Sequence, residues 1–178
     1  MKILYFGVYD PAYSRNRVLL RGLRENGVSV TECNERSSGI IKYIKLAFRL
    51  MGLWGKYDIV LVGFPGQYAV LLAKLFSSAP VVLDMFTSHY EGYVFDRKTT
   101  ASTSFRARWY KWIDRTSVKL ANNVLLDTQN HINAISHLLG ISTDKFRYIF
   151  VGTDSDIFHP TQHKNKGVFK VHFHGNYI

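Results

Sequence analysis

Short apolar runs alternate along the chain with amphipathic stretches, and glycine, proline or a polar cluster marks each changeover. Lys2 to Phe6 is an apolar run closed by Gly7. Ser14 then reads as the N-cap of a helix that carries Val18, Leu19, Leu20 and Leu23 inward and stops at Gly27. Val28 to Thr31 makes the next strand, Ile40 to Leu53 the next helix, and Tyr57 to Val62 a β-branched strand ending in Gly63-Phe64-Pro65-Gly66. Gln67 to Phe76 is helical, and Pro80 opens the strand Val81 to Met85, a position a strand tolerates for proline. A long polar connection, 86–103, precedes a helix from Phe105 to Ala121. The strand Asn123 to Leu126, the helix His131 to Leu139 and the strand Phe146 to Val151 complete the series. Strands separated by helices imply right-handed crossovers. The expected fold class is therefore α/β, a Rossmann-like, doubly wound parallel sheet with helices on both faces.

Composition sharpens this picture in a few places. The chain has 178 residues, of which 47% are hydrophobic, enough for one buried core. Cys33 is the single cysteine; it excludes an internal disulfide and reads as a buried strand residue. No apolar stretch approaches the roughly 18–20 residues that span a bilayer. A formal net charge of +10, from 23 Lys+Arg against 13 Asp+Glu, points to an anionic partner: a phospholipid surface, a nucleic acid or a phosphorylated substrate.

In sheets of this kind ligands bind outside the carboxyl ends of the strands. Four loops meet that condition. The first, Gly7 to Arg15, lacks the G-x-G-x-x-G spacing of a dinucleotide site, which argues against NAD or FAD. It offers Asp10, Tyr13, Ser14, Arg15 and Asn16 around a helix N-terminus, groups suited to a phosphate or a sugar hydroxyl. The second loop offers Pro65 and Gly66, and the fourth offers Thr128. The third, Asp84 to Asp96, is richest in functional groups, and connections this long are usually functional. Asp84, Ser88 and His89 are its candidate catalytic groups, with Glu91 and Asp96 available to grip hydroxyls. The sequence does not choose a catalytic residue among them. No metal-binding constellation is expected; His172 and His174 merely alternate along one short strand.

Two helices carry basic and apolar residues together. Lys42, Lys45, Arg49 and Lys56 follow at steps of three, four and seven, amid Ile40, Ile44, Phe48 and Trp54. Such a helix suits an anionic membrane interface, with Lys42, Lys45, Arg49 and Trp54 as contact residues. Phe105 to Arg115 interleaves aromatics and cations as well. Helical spacing puts Phe105, Trp109, Trp112 and Ile113 on one face, which reads as a core stripe, so no nucleic-acid partner is expected.

Three segments carry a family resemblance: the opening strand-loop-helix from Met1 to Gly27, the junction Lys119 to Thr128, and Gly152-Thr153-Asp154 running to Phe158-His159-Pro160. Together they resemble the N-terminal domain of GT-B glycosyltransferases of the family 4 type, whose hinge follows the pattern G-(V/T)-D-x-x-x-F-x-P. The resemblance implies transfer of a sugar, with retention, from a nucleotide-sugar donor to a lipid-linked or polysaccharide acceptor. It implies an acceptor-binding domain over residues 1–151, a hinge over 152–167, and at 168–178 the first strand of a donor-binding C-terminal domain. The donor nucleotide-sugar would be held mainly by that second domain, in cis or in trans, through its E-x7-E motif, with no other cofactor. Residues 1–178 by themselves would then be inactive. The implied location is cytoplasmic, peripheral on the inner face of the cell membrane. Relatives carry a glycine pair where this chain has Val8-Tyr9, and a histidine where it has Phe86. A non-catalytic glycan- or partner-binding subunit is the alternative reading, and a flavodoxin- or dehydrogenase-like nucleotide binder a third.

Overall fold

A computed structural model describes residues 1–159. The expected strand at 168–178 and the linker from 160 onward lie outside the described residues. Six strands form one parallel sheet in the order β2-β1-β3-β4-β5-β6. They are β1 (Lys2–Gly7), β2 (Ser29–Asn34), β3 (Ile59–Val62), β4 (Val81–Asp84), β5 (Asn123–Leu126) and β6 (Phe146–Tyr148). Between them run α1 (Ser14–Glu25), α2 (Ile41–Gly52), α3 (Gln67–Phe76), α4 (Phe105–Leu120) and α5 (Gln129–Leu139). The Rossmann-like α/β class is as expected.

The two faces of the sheet are buried unequally. Leu20 of α1 packs on Ile3, Tyr5 and Leu61 on one side. On the other, Leu46 and Leu50 of α2, Val70 and Ala73 of α3, Val118 of α4 and Ile135 of α5 close over Leu4, Phe6, Val60, Leu83 and Val124. Each fully buried aliphatic side chain contributes about 1.5–3 kcal/mol, so this larger cluster is the main apolar support of the fold. Cys33 lies in it, and burial pushes its thiol up to about 11, which keeps it protonated and inert.

Several local expectations change. Ser14 is the first residue of α1 and caps nothing. Tyr13 precedes the helix without a side-chain cap, while Asp10 accepts the Ala12 N–H at 3.1 Å and its carbonyl accepts that of Tyr13. The connection after β4 is not a plain loop, because Glu91–Asp96 form a π-helical turn. The α4 aromatics face outward: Phe105 is 82% exposed and Trp109 and Trp112 are also exposed, while Ala107, Ile113, Asp114, Ser117 and Val118 point inward. The expected core stripe splits: Ile113 is buried as expected, while Phe105, Trp109 and Trp112 lie outside.

Between β1 and β3 the strand order reverses, which opens a crevice at the carboxyl edge. The turn beyond β3 is packed too tightly for side chains. A Cβ on Gly66 would stand 2.5 Å from Val62 Cγ1 and 2.7 Å from the Gly63 carbonyl oxygen, and one on Gly63 would strike the Tyr5 ring. Backbone cannot yield there as a flexible side chain could, so overpacking of this kind costs about 1–3 kcal/mol.

Candidate functional site

Two buried polar ties shape the carboxyl edge. Arg15, in the first turn of α1, grips Asp84 at the end of β4: Nε donates to Oδ2 at 3.0 Å and Nη2 to Oδ1 at 2.9 Å. Its Nη1 donates to the Ile149 carbonyl at 3.1 Å, just beyond β6. Burial pushes the Asp84 carboxyl upward and the Arg15 guanidinium opposes that push. Removing either partner would strand the other charge in the interior, at a cost of roughly 3–5 kcal/mol. Asn16 makes the second tie. Its Oδ1 accepts from Tyr5 Oη at 2.9 Å and from the Phe64 N–H at 3.1 Å, while Nδ2 donates to the carbonyls of Asp10 and Phe64 at 3.0 and 2.7 Å. One amide thus joins the loops after β1 and β3 across the crevice.

Over these ties lies a cleft of about 440 Å³. Its walls are Tyr13, Phe64, Pro65, Phe86 and Tyr93, and its polar lining includes Gln67, Ser88, His89, Asp96 and Arg97. Phe86 adopts a left-handed backbone conformation, φ 52°, which costs an ordinary residue about 1–2 kcal/mol. That turn sets its ring edge-on to Phe64, 5.3 Å between centroids, with the Arg15 guanidinium 5.2 Å from its centre.

His89 is held by a residue that sequence reading passed over. Asp114 of α4 is fully buried, and its carboxylate accepts from the backbone N–H groups of His89 and Tyr90 at 3.1 and 2.9 Å. The same Oδ1 lies 3.1 Å from His89 Nδ1. Facing a carboxylate oxygen, Nδ1 is the donating nitrogen, and in the neutral imidazole the lone pair then lies on Nε2. Tyr93 and Tyr110 lie nearly parallel to the imidazole, and Tyr68 meets it edge-on. Ser88 Oγ accepts the Glu91 N–H at 2.8 Å. Ser88 and Asp114 together cap the turn that carries His89, and the Ser88-x-x-Glu91 spacing is the sequence signal that could have located it.

The remaining candidates divide between cleft and scaffold. Tyr13, Pro65, Ser88, His89 and Asp96 line the cleft, whereas Arg15, Asn16 and Asp84 are internal ties. Asp10 is exposed beside Arg36 at 3.6 Å, and Ser14 borders a small hollow with Phe86 and Ile149. Gly66 is the residue before α3, and Thr128 is the N-cap of α5, accepting the His131 N–H at 3.2 Å. Glu91 turns away from the cleft to His131. Among the described residues no cluster of three or more His, Cys, Asp or Glu is arranged to hold a metal ion, and no helix is long and apolar enough to cross a membrane. His172 and His174 lie outside the described residues.

No family model and no curated protein matches this sequence. Solved structures do. Anabaena Alr3699/HepE in complex with UDP and glucose superposes with a TM-score of 0.52 at 15% identity, over 91% of this chain and 47% of that one. The same protein in complex with UDP gives 0.50 at 16% identity, over 88% and 46%. This chain spans about half the length of these structures, and the likeness at such identity is one of fold.

His131 joins the π-helical turn to α5. Its Nε2 stands 3.0 Å from Glu91 Oε2 and its Nδ1 2.7 Å from Asp127 Oδ1, so both nitrogens donate. The hydrogen bond to Glu91 raises the imidazole above its ordinary value, against partial burial and with help from Asp127. Asp127 is partly buried, which pushes it up, but His131 outweighs this and holds it below the usual range. A raised histidine stabilises fully below its unfolded value of about 6.5 and loses that contribution as pH rises through the folded value. The Asp127 contribution is present above about 3.9 and is lost only as pH falls through its lowered value. The stability gap between wild type and His131→Leu, measured by urea unfolding, is therefore expected to be largest near about pH 6 and to shrink toward about pH 9. A constant gap would contradict the ion-paired arrangement.

Proposed function

We propose that this chain is the acceptor-side half of a GT-B, family 4-type retaining glycosyltransferase. A sugar would pass from a nucleotide-sugar to a lipid-linked or polysaccharide acceptor, with the donor held by a second domain in cis or trans. The observation that carries this reading is the cleft at the carboxyl edge. Its aromatic walls suit the apolar faces of a pyranose, and the His89 imidazole that lines it is anchored at Nδ1 by Asp114. The fold likeness supports the reading, because HepE was crystallised with UDP and glucose. In this arrangement His89 accepts a hydrogen bond from an acceptor hydroxyl, Asp114 positions the ring, and the Arg15 and Asn16 ties keep the loops in place before a ligand arrives. Arg15 is already committed to Asp84, so among the described lining residues the cation of the cleft is Arg97, over the Tyr93 ring.

The same helical layer supports peripheral attachment to an anionic membrane. On α2 the outward row Ile40, Ile44, Phe48 and Met51 lies opposite the buried Leu46 and Leu50, with Phe48 68% exposed and Trp54 exposed just beyond. The outward aromatics Phe105, Trp109 and Trp112 of α4 extend from that layer, with α3 between the two helices. Lys45 follows beside the α2 row at helical spacing, and Lys42 lies over the Tyr43 ring at 5.2 Å. Arg49 is less free, donating to the Asn34 carbonyl at 2.8 Å and lying 3.7 Å from Glu35. Apolar rows bordered by cations fit the interface of a bilayer with acidic headgroups, each cation contributing about 1 kcal/mol. The inner face of the cell membrane is the surface this attachment would use.

Nucleotide release from UDP- and GDP-sugars, assayed with membrane-extracted lipid-linked acceptors, tests the first part. Release is expected when a donor-binding domain is joined after Ile178 or added as a separate chain, and His89→Ala in that assembly should slow it roughly tenfold. Turnover by the 178-residue protein without such a domain would contradict the division of labour. For the membrane, co-sedimentation with phosphatidylglycerol vesicles should be lost in both Lys42→Glu/Lys45→Glu/Arg49→Glu and Ile44→Ser/Phe48→Ser/Trp109→Ser. Binding equal to wild type in both would remove the surface from the account.

A further inference from the structure

Gln67, the first residue of α3, is a buried polar group with half of its amide unused. It is 1% exposed. Its Nε2 donates to the Thr87 carbonyl at 3.1 Å, and its Oε1 has no hydrogen-bond partner. The Thr87 contact fixes which way the amide faces, because a reversed amide would set oxygen against oxygen. A buried acceptor left unsatisfied is costly, and native structures rarely keep one without a reason. Gln67 lines the cleft together with Phe64, Phe86, Ser88, His89 and Tyr93.

We infer that Gln67 determines which ligand the cleft accepts: its Oε1 receives a hydrogen bond from one specific hydroxyl of a sugar ring. The inference rests on the proposed acceptor role of the cleft and names the residue that reads the acceptor. The chemistry of the lining selects the class. Gln67 Oε1, joined by His89 Nε2 when the imidazole is neutral, calls for donors from the ligand, and the aromatic walls call for apolar faces. A pyranose offers both, with hydroxyls around its rim and C–H groups on its faces. Ser88 Oγ already accepts the Glu91 N–H, whereas Gln67 Oε1 has no protein partner. A site built to hydrogen-bond a hydroxyl discriminates against the analogue that lacks it, because the buried acceptor is then left unpaired.

Titration of the 178-residue protein with methyl α-D-glucopyranoside and its monodeoxy analogues, followed by saturation-transfer NMR, tests this directly. Wild type is expected to bind the parent glycoside and to bind one monodeoxy analogue roughly three- to tenfold more weakly. Gln67→Met should bind the parent and that analogue equally, both at the weaker level. In wild type, the Gln67 side-chain amide resonances should shift with the parent and not with that analogue, a readout that stands even if the variant fails to fold. Three results would overturn the inference: no binding of the glycoside to wild type, equal affinity for every analogue, or the same discrimination in Gln67→Met as in wild type. Coupling of Gln67 to uridine in place of the glycoside would overturn the sugar assignment. Coupling without any sugar transfer in the two-domain assembly would support the inference and remove only the enzymatic reading. Transfer without coupling would remove only the inference.

Discussion

The buried pairing of Arg15 with Asp84 is the constraint on which the carboxyl edge depends. It joins residues 69 apart in sequence and, through the Ile149 carbonyl, reaches another 134 positions from Arg15. The start of α1, the end of β4 and the chain leaving β6 are therefore fixed to one guanidinium. Asn16, the next residue, does the same for the loops beyond β1 and β3. Because both groups are fully engaged inside the protein, they serve as a frame and leave ligand contact to the side chains above them. The strained backbone of Phe86 sits directly against this frame, which helps explain how an unfavourable conformation persists there.

Much of the fold was legible from periodicity. The strand and helix alternation sets a parallel sheet, and Gln67–Phe76 and Asn123–Leu126 have the expected limits. The cleft also lies where strand carboxyl ends were expected to place it. What sequence could not separate was frame from site. Arg15, Asn16 and Asp84 look like ligand groups because polar residues at a strand end or helix start are chemically suited to either task, and only the contact with a distant partner decides. Asp114 was hidden for the same reason: a carboxylate within a basic, aromatic helix reads as surface, yet it is buried beneath the His89 turn.

The α4 helix shows the limit of reading burial from side-chain size. Hydrophobicity assigned Phe105, Trp109, Trp112 and Ile113 to the core, but of these only Ile113 is buried, together with Ala107, Asp114, Ser117 and Val118. The large aromatics are displaced outward, into the same layer as the exposed row of α2. These exposed apolar side chains are the ones the proposed membrane attachment would cover. One edge of the sheet thus carries the cleft, and one helical layer carries the exposed apolar side chains.

The central claim is that Asp114 holds His89 so that Nε2 faces a ligand with its lone pair free. Long-range proton–nitrogen NMR of the His89 imidazole, recorded with and without methyl glucoside, tests it most directly. The account predicts the Nδ1–H tautomer in the free protein and a shift of the Nε2 resonance when the sugar is added. An Nε2–H tautomer, or an Nε2 resonance indifferent to a sugar that binds elsewhere on the protein, would contradict it.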